Sequence, residues 1–163
     1  MAARIEIQVN SRAVTAALRR MAERGGDFSG ALDEIGASLV SSTVQRFRQG
    51  VSPSGEPWKP SRRAEREGGR TLVDSGRLRD SITHEVSGNS VSVGTNVVYA
   101  AIHQLGGTIR AKNAKGLAIP TPSGGVVFRQ RVRIPARPFL GVSEADREEI
   151  AEISIDHLTE PFE

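Results

Sequence analysis

A change of hydrophobic period part-way along the chain restricts this sequence to a mixed fold. Leu32, Ile35, Leu39, Thr43 and Phe47 recur at the spacing of one helical face, from a start at Asp27 or Ser29 to a stop at Gly50 ahead of Pro53. Further on, short strand-like runs take over at 83–87, 90–94, 108–111, 117–120 and 126–134, with Gly88-Asn89 placed as a tight hairpin turn. The expectation is an α+β fold: an antiparallel β-sheet with an extended β-ribbon, packed against two N-terminal helices and a C-terminal helix.

The remaining elements follow from local signals. Residues 4–9 alternate as a half-buried strand does, and Val14, Leu18 and Met21 lie on a first helix that Gly25-Gly26 ends. Residues 51–70 are rich in Pro, Gly, Ser and charge without periodicity, predicting a long loop of the kind that tends to carry function. Asp74-Ser75 predicts the cap of a short helix burying Leu78 and Ile82, with Arg77 and Arg79 directed elsewhere. Residues 97–105 read as a short helix or turn closed by Gly106-Gly107, and the ribbon spans 107–134. Ser143 caps a C-terminal helix whose first turns are acidic and whose buried side is Ile150, Ile153 and Leu158. A length of 163 residues predicts a single domain over 1–163 with its own core.

Composition removes several function classes. Without cysteine there is no disulfide, thiolate nucleophile or Cys-ligated metal. At 4% aromatic residues the chain lacks the stacking platforms of a single-strand nucleic-acid binder. No window approaches a membrane span, and the charged start is unlike a signal core, so a soluble, unexported protein is expected. His84, His103 and His157 show no metal-ligand spacing, Asp74-Ser75-Gly76 lacks the frame of a nucleophile elbow, and the paired glycines reverse the chain rather than cradle phosphate. No catalytic, cofactor or metal residue is predicted.

Charge is the strongest functional signal. No acidic residue falls between Glu85 and Glu144, whereas Arg110, Lys112, Lys115, Arg129, Arg131, Arg133 and Arg137 do; Glu144, Asp146, Glu148 and Glu149 then open an acidic block. A two-residue pleat puts Arg129, Arg131 and Arg133 on one face of the ribbon. Three readings stand: a solvated sheet face, a face that meets DNA phosphates, or one that meets the acidic helix of an adjacent copy. Trp58, the only tryptophan, either anchors the 51–70 loop to its own core or inserts into a neighbour, the first being preferred. With Arg77 and Arg79, these residues form the predicted interaction set.

Four segments also carry a family likeness when taken in order: Ser52-Pro53-Ser54-Gly55-Glu56-Pro57-Trp58; Leu72-Val73-Asp74-Ser75-Gly76-Arg77-Leu78-Arg79; Gly94-Thr95-Asn96 through Tyr99-Ala100 to His103-Gln104-Leu105-Gly106-Gly107; and Ile134-Pro135-Ala136-Arg137-Pro138-Phe139-Leu140-Gly141. The set resembles the virion morphogenesis or tail-completion family of tailed bacteriophages, whereas residues 1–50 match none of its motifs. The resemblance implies a non-enzymatic structural protein, assembled in the bacterial host cytoplasm, that forms a hexameric or dodecameric ring around the DNA channel at the head–tail junction. Its implied partners are copies of itself, other neck, connector or tail-tube proteins, and DNA held non-specifically in the channel, with no cofactor and no membrane. Head-completion, stopper, neck and tail-terminator positions all stay open. The alternative is an independent basic DNA-binding protein using the ribbon arginines on phosphates.

Overall fold

The stripe of Leu32, Ile35, Leu39, Thr43 and Phe47 does form one buried helical face. In a computed structural model, which describes residues 28–112, 115–121 and 123–159, it belongs to α1 (Ser29–Gln49). Phe28 occupies the N-cap position without a side-chain cap. Gly50 closes the helix at φ 74°, its N–H donating to the Arg46 carbonyl at 2.7 Å. The strand expected at 4–9 and the first helix expected before Gly25-Gly26 lie outside the described residues.

Three elements pack on α1: the hairpin β1 (Thr83–Ser87) and β2 (Ser90–Gly94), the single-turn α3 (Arg77–Asp80), and the C-terminal α5 (Glu144–Thr159). The hairpin register runs from Thr83 opposite Gly94 to Ser87 opposite Ser90, leaving Gly88-Asn89 as the two-residue turn with Gly88 at φ 55°. Gly36 lets the hairpin approach, since a Cβ there would lie 2.4 Å from the His84 ring. The core joins Ile35, Leu39 and Phe47 of α1 to Trp58, Leu78, Ile82, Val93, Val97, Ala100, Phe139, Leu140, Ile150 and Ile153. Leu158, the third residue expected on the buried side of α5, falls outside the described side chains.

Two expectations need correction. The 51–70 segment is not all loop: Ser61 accepts from the Ala64 N–H at 3.1 Å and caps α2 (Arg62–Glu67), whose buried residue is Ala64. Asp74 does not cap α3. Its N-cap is Gly76 at φ 84°, and Asp74 is exposed beside Arg63 at 3.6 Å.

After α4 (Ala100–Leu105), the ribbon is two successive two-stranded ladders rather than one. β3 (Gly107–Arg110) pairs with β6 (Arg131–Ile134), and β4 (Leu117–Pro120) with β5 (Val126–Arg129), all antiparallel. The expected strand at 126–134 is therefore interrupted at Gln130: Arg131 pairs with Arg110 in one ladder and Arg129 with Leu117 in the other, so the two do not run on continuously. Among the described residues neither ladder packs extensively on a helix or on β1–β2. Val126 and Phe128 are exposed on the ribbon.

Candidate functional site

The four recurring segments meet on one extended stretch, 135–141. Trp58 Nε1 donates to the Pro138 carbonyl at 2.8 Å. Gln104 grips both sides of the stretch: its Oε1 accepts from Phe139 N at 2.9 Å and Leu140 N at 3.0 Å, and its Nε2 donates to the Leu140 carbonyl at 2.8 Å. Arg137 N donates to the His103 carbonyl at 2.7 Å, while its buried guanidinium donates to the Lys59 and Pro60 carbonyls at 2.7 and 3.3 Å. Leu78 of the second segment lies in the same core. The motif residues thus satisfy the backbone of a buried, non-regular segment, which has no ladder of its own to do so.

Gly106 makes the closest approach to backbone in this clasp. It sits at φ 71°, and a Cβ there would come within 2.7 Å of the Ala136 backbone nitrogen. Gly106→Ala is expected to cost more than the roughly 1–3 kcal/mol of a strained backbone conformation, because its ψ of 179° lies where essentially only glycine is found and a backbone atom cannot swing aside. Gly55→Ala, at φ 83° with nothing within 4 Å, should show the conformational cost alone. Urea denaturation of the two variants measures the difference; equal losses would contradict the close approach.

Beneath the clasp lies a buried ion pair between Arg46 of α1 and Asp146 of α5. Arg46 also donates to the Gly141 carbonyl at 2.9 Å, the Phe139 carbonyl at 3.2 Å and Ser42 Oγ at 2.9 Å. Asp146 accepts from Ser143 N at 2.6 Å, and Asp146 N donates to Ser143 Oγ at 3.2 Å, a reciprocal cap at the helix start. Burial pushes the Asp146 carboxyl up, but hydrogen bonds from Ser42 and Ser143 and the Arg46 charge outweigh it and hold its pKa below 3.8. Arg46, Gln104 and Ser143 organise the site; the sequence placed Gln104 in a family segment and Ser143 as a helix cap, but carried no signal for Arg46.

Three residues of the predicted interaction set turn inward. Trp58 is in the core, Arg137 is spent on two carbonyls, and Asp146 is the partner of Arg46. Trp58 follows the preferred reading as an anchor of its own core, whereas Arg137 and Asp146, read as surface charges, find partners inside the chain. Arg77 is exposed, and Arg79 bonds its neighbour Asp80 at 2.6 Å. Lys112, Lys115, Arg110, Arg129, Arg131 and Arg133 are exposed on the ribbon, and Glu144, Glu148 and Glu149 on α5, where Glu144 meets Arg147 at 2.6 Å.

The ribbon arginines are brought together more closely than spacing alone suggests. Arg110 stands directly across the ladder from Arg131, and Thr108 across from Arg133, so these side chains share one face. Among the described residues none of Arg110, Arg129, Arg131 and Arg133 forms an ion pair. A cleft of about 1030 Å³ opens between the ribbon and segment 59–62, lined by Lys59, Arg62, His103, Arg129, Arg131 and Arg133 among others, and among the described residues no carboxylate lines it. Burial, and then the Arg137 charge, hold the His103 pKa below 6.5, so its ring is neutral at pH 7. Its buried Nδ1 has no hydrogen-bond partner among the described residues. Among those residues no cluster of His, Asp or Glu suits a metal ion, and no helix is long and apolar enough to cross a membrane. The exposed cations lining this cleft give it the chemistry of an anion-facing surface.

The sequence profile of the phage virion morphogenesis family matches residues 9–159. The chain belongs to that family. A "Mu-like prophage FluMu G protein 2" of Haemophilus influenzae is 35% identical over 155 residues, covering 94% of this chain and 96% of the relative. A "Putative capsid assembly protein G" of Escherichia phage Mu is 32% identical over 142 residues, covering 74% of this chain and 81% of the relative. No solved structure gives a significant match. The chain is thus a phage virion morphogenesis protein, a family of assembly factors rather than a known enzyme family. In this member the clasp on 135–141 is the conformational frame, and the ribbon and the outer face of α5 are what it presents.

Proposed function

We propose that this virion morphogenesis protein is a non-enzymatic structural subunit of the head–tail junction, assembling with copies of itself into a closed ring around the DNA channel. The observation that carries the reading is a ribbon whose exposed arginines have no ion-pair partner among the described residues and which makes few contacts with the described core. A free monomer gains nothing from such an element, whereas a subunit with neighbours on both sides can use it as a contact. The name of the phage Mu relative, a "Putative capsid assembly protein G", supports a role in building the virion. Ring partners above and below are other neck, connector or tail-tube proteins.

Loss of the protein during phage production is expected to leave separate DNA-filled heads and completed tails, with joined particles reduced at least a hundredfold. Negative-stain microscopy of the lysate, together with gold-labelled antibody on wild-type particles, provides the check. Normal joined particles, or label confined to the distal tail or the shell, would overturn this placement. The independent DNA-binding reading instead predicts tight duplex binding whose log affinity falls by nearly one unit per phosphate neutralised for each unit of log salt.

A further inference from the structure

We propose that the basic cleft between the ribbon and segment 59–62 of one copy receives the outer face of α5 of a second copy, with Glu148 and Glu152 paired against Arg131 and Arg133. This rests on the assembly role above and names the contact that would build the ring.

Both surfaces are at odds with themselves inside the single chain. Arg110 and Arg131 oppose each other across a ladder, an arrangement of like charges that destabilises a strand pair. Glu148 and Glu152 lie one helical turn apart on the exposed side of α5, where like charges also repel. Among the described residues neither set has an ion-pair partner. Each set lacks what the other offers.

The spacings agree as well. Residues four apart on a helix rise about 6 Å, and residues two apart on a strand about 6.8 Å, so two carboxylates and two guanidinium groups meet in register. The cleft, at about 1030 Å³, leaves room for the exposed side of one helical turn, the roughly 6 Å stretch that carries both glutamates. Lys59, Arg62 and Arg129 on the cleft walls extend the positive field beyond the pair. Because the ribbon and α5 are different surfaces of the same chain, the contact is head-to-tail and propagates from copy to copy until it closes.

DNA phosphates are the other anion these arginines could meet. The second copy is favoured because the helix offers carboxylates at fixed spacing that themselves lack partners, which accounts for both surfaces at once.

The test compares the full-length chain with R131E/R133E, E148R/E152R and the four-fold swap. Mass in solution is read by light scattering after size exclusion, at low and high salt, with and without duplex DNA. All substituted side chains are exposed, and circular dichroism verifies that each variant is folded. Expected are an oligomer for the parent chain that loosens as salt rises, monomer mass for each two-fold variant, and recovery of the oligomer in the four-fold swap and in an equal mixture of the two-fold variants. The proposal is overturned if the parent chain stays monomeric at every salt concentration, if only the ribbon variant disrupts assembly, if the swap fails to restore it, or if R131E/R133E loses DNA binding with its mass unchanged. These outcomes are separate from the phage experiment: heads and tails that still need the protein, with a swap that fails, would retain the junction role and remove this contact.

Discussion

Asp146→Ala is expected to destabilise the folded chain by about 3–5 kcal/mol, the loss typical of a buried ion pair deprived of one member. That is a large part of the roughly 5–15 kcal/mol that holds a domain together. The carboxylate has two duties. It neutralises Arg46, buried with it, and it accepts from Ser143 N at the start of α5. Removing it leaves a guanidinium with carbonyl and hydroxyl partners but no counter-charge. The pair Arg46→Met with Asp146→Leu should lose less than the sum of the single changes, yet not become neutral, since the Phe139 and Gly141 carbonyls would lose their Arg46 donor at about 1–3 kcal/mol each. The folded-state pKa of Asp146 lies below the unfolded value of 3.8. Its contribution is therefore complete above that value and is lost as pH falls through the lower, folded one. Urea titrations from neutral pH down into that acid range should show a steep acid limb in the parent chain and a shallower one in Asp146→Ala. A loss under about 1 kcal/mol would contradict the buried pair.

Arg46 also shows where sequence reading fails. The residues Leu32, Ile35, Leu39 and Thr43 define a stripe whose next positions are both Arg46 and Phe47, three and four residues on. Phe47 was legible as core because it is apolar; Arg46 was not, because a buried arginine is justified only by Asp146, a hundred residues away. Asp146 in turn stands three residues after Ser143, the position of a capping-box acid, but within an acidic block it reads as one more solvated charge. The hairpin at Gly88-Asn89, by contrast, depends on contiguous residues and was legible in full, as were the end of α1 at Gly50 and the burial of Leu78 and Ile82. The ribbon falls between these cases. Its strands are local, but the interruption at Gln130 comes from a register in which Arg131 faces Arg110 and Arg129 faces Leu117, and that register is set across the ladder. The family motifs were legible as a set, whereas their common purpose, holding 135–141, required the contacts of Gln104, Trp58 and Arg137 to be seen together.

Trp58→Ala is expected to cost about 3–5 kcal/mol, comparable to the loss of the ion pair, since it empties a large site in the middle of the clasp. The indole meets Phe47 edge-on with ring centroids 5.5 Å apart, and Phe47 in turn meets Phe139 at 5.1 Å. Edge-on packing adds about 0.5–1.5 kcal/mol to the area buried. Trp58→Phe separates the contributions: it keeps most of the apolar volume but removes the Nε1 donor to the Pro138 carbonyl, for which about 1–3 kcal/mol is the penalty of a buried acceptor left unmade. Because Trp58 is the only tryptophan, its fluorescence reports directly on whether the 51–70 segment and the 135–141 segment are joined. In the folded monomer, obtained at high salt, the emission should already be that of a shielded indole, resist acrylamide, and change only in the urea transition that circular dichroism also follows. An indole that is open to quencher in the monomer and becomes shielded only on self-association would move Trp58 from the core to the subunit interface, and with it the whole clasp from a frame built into each chain to one completed by its neighbour.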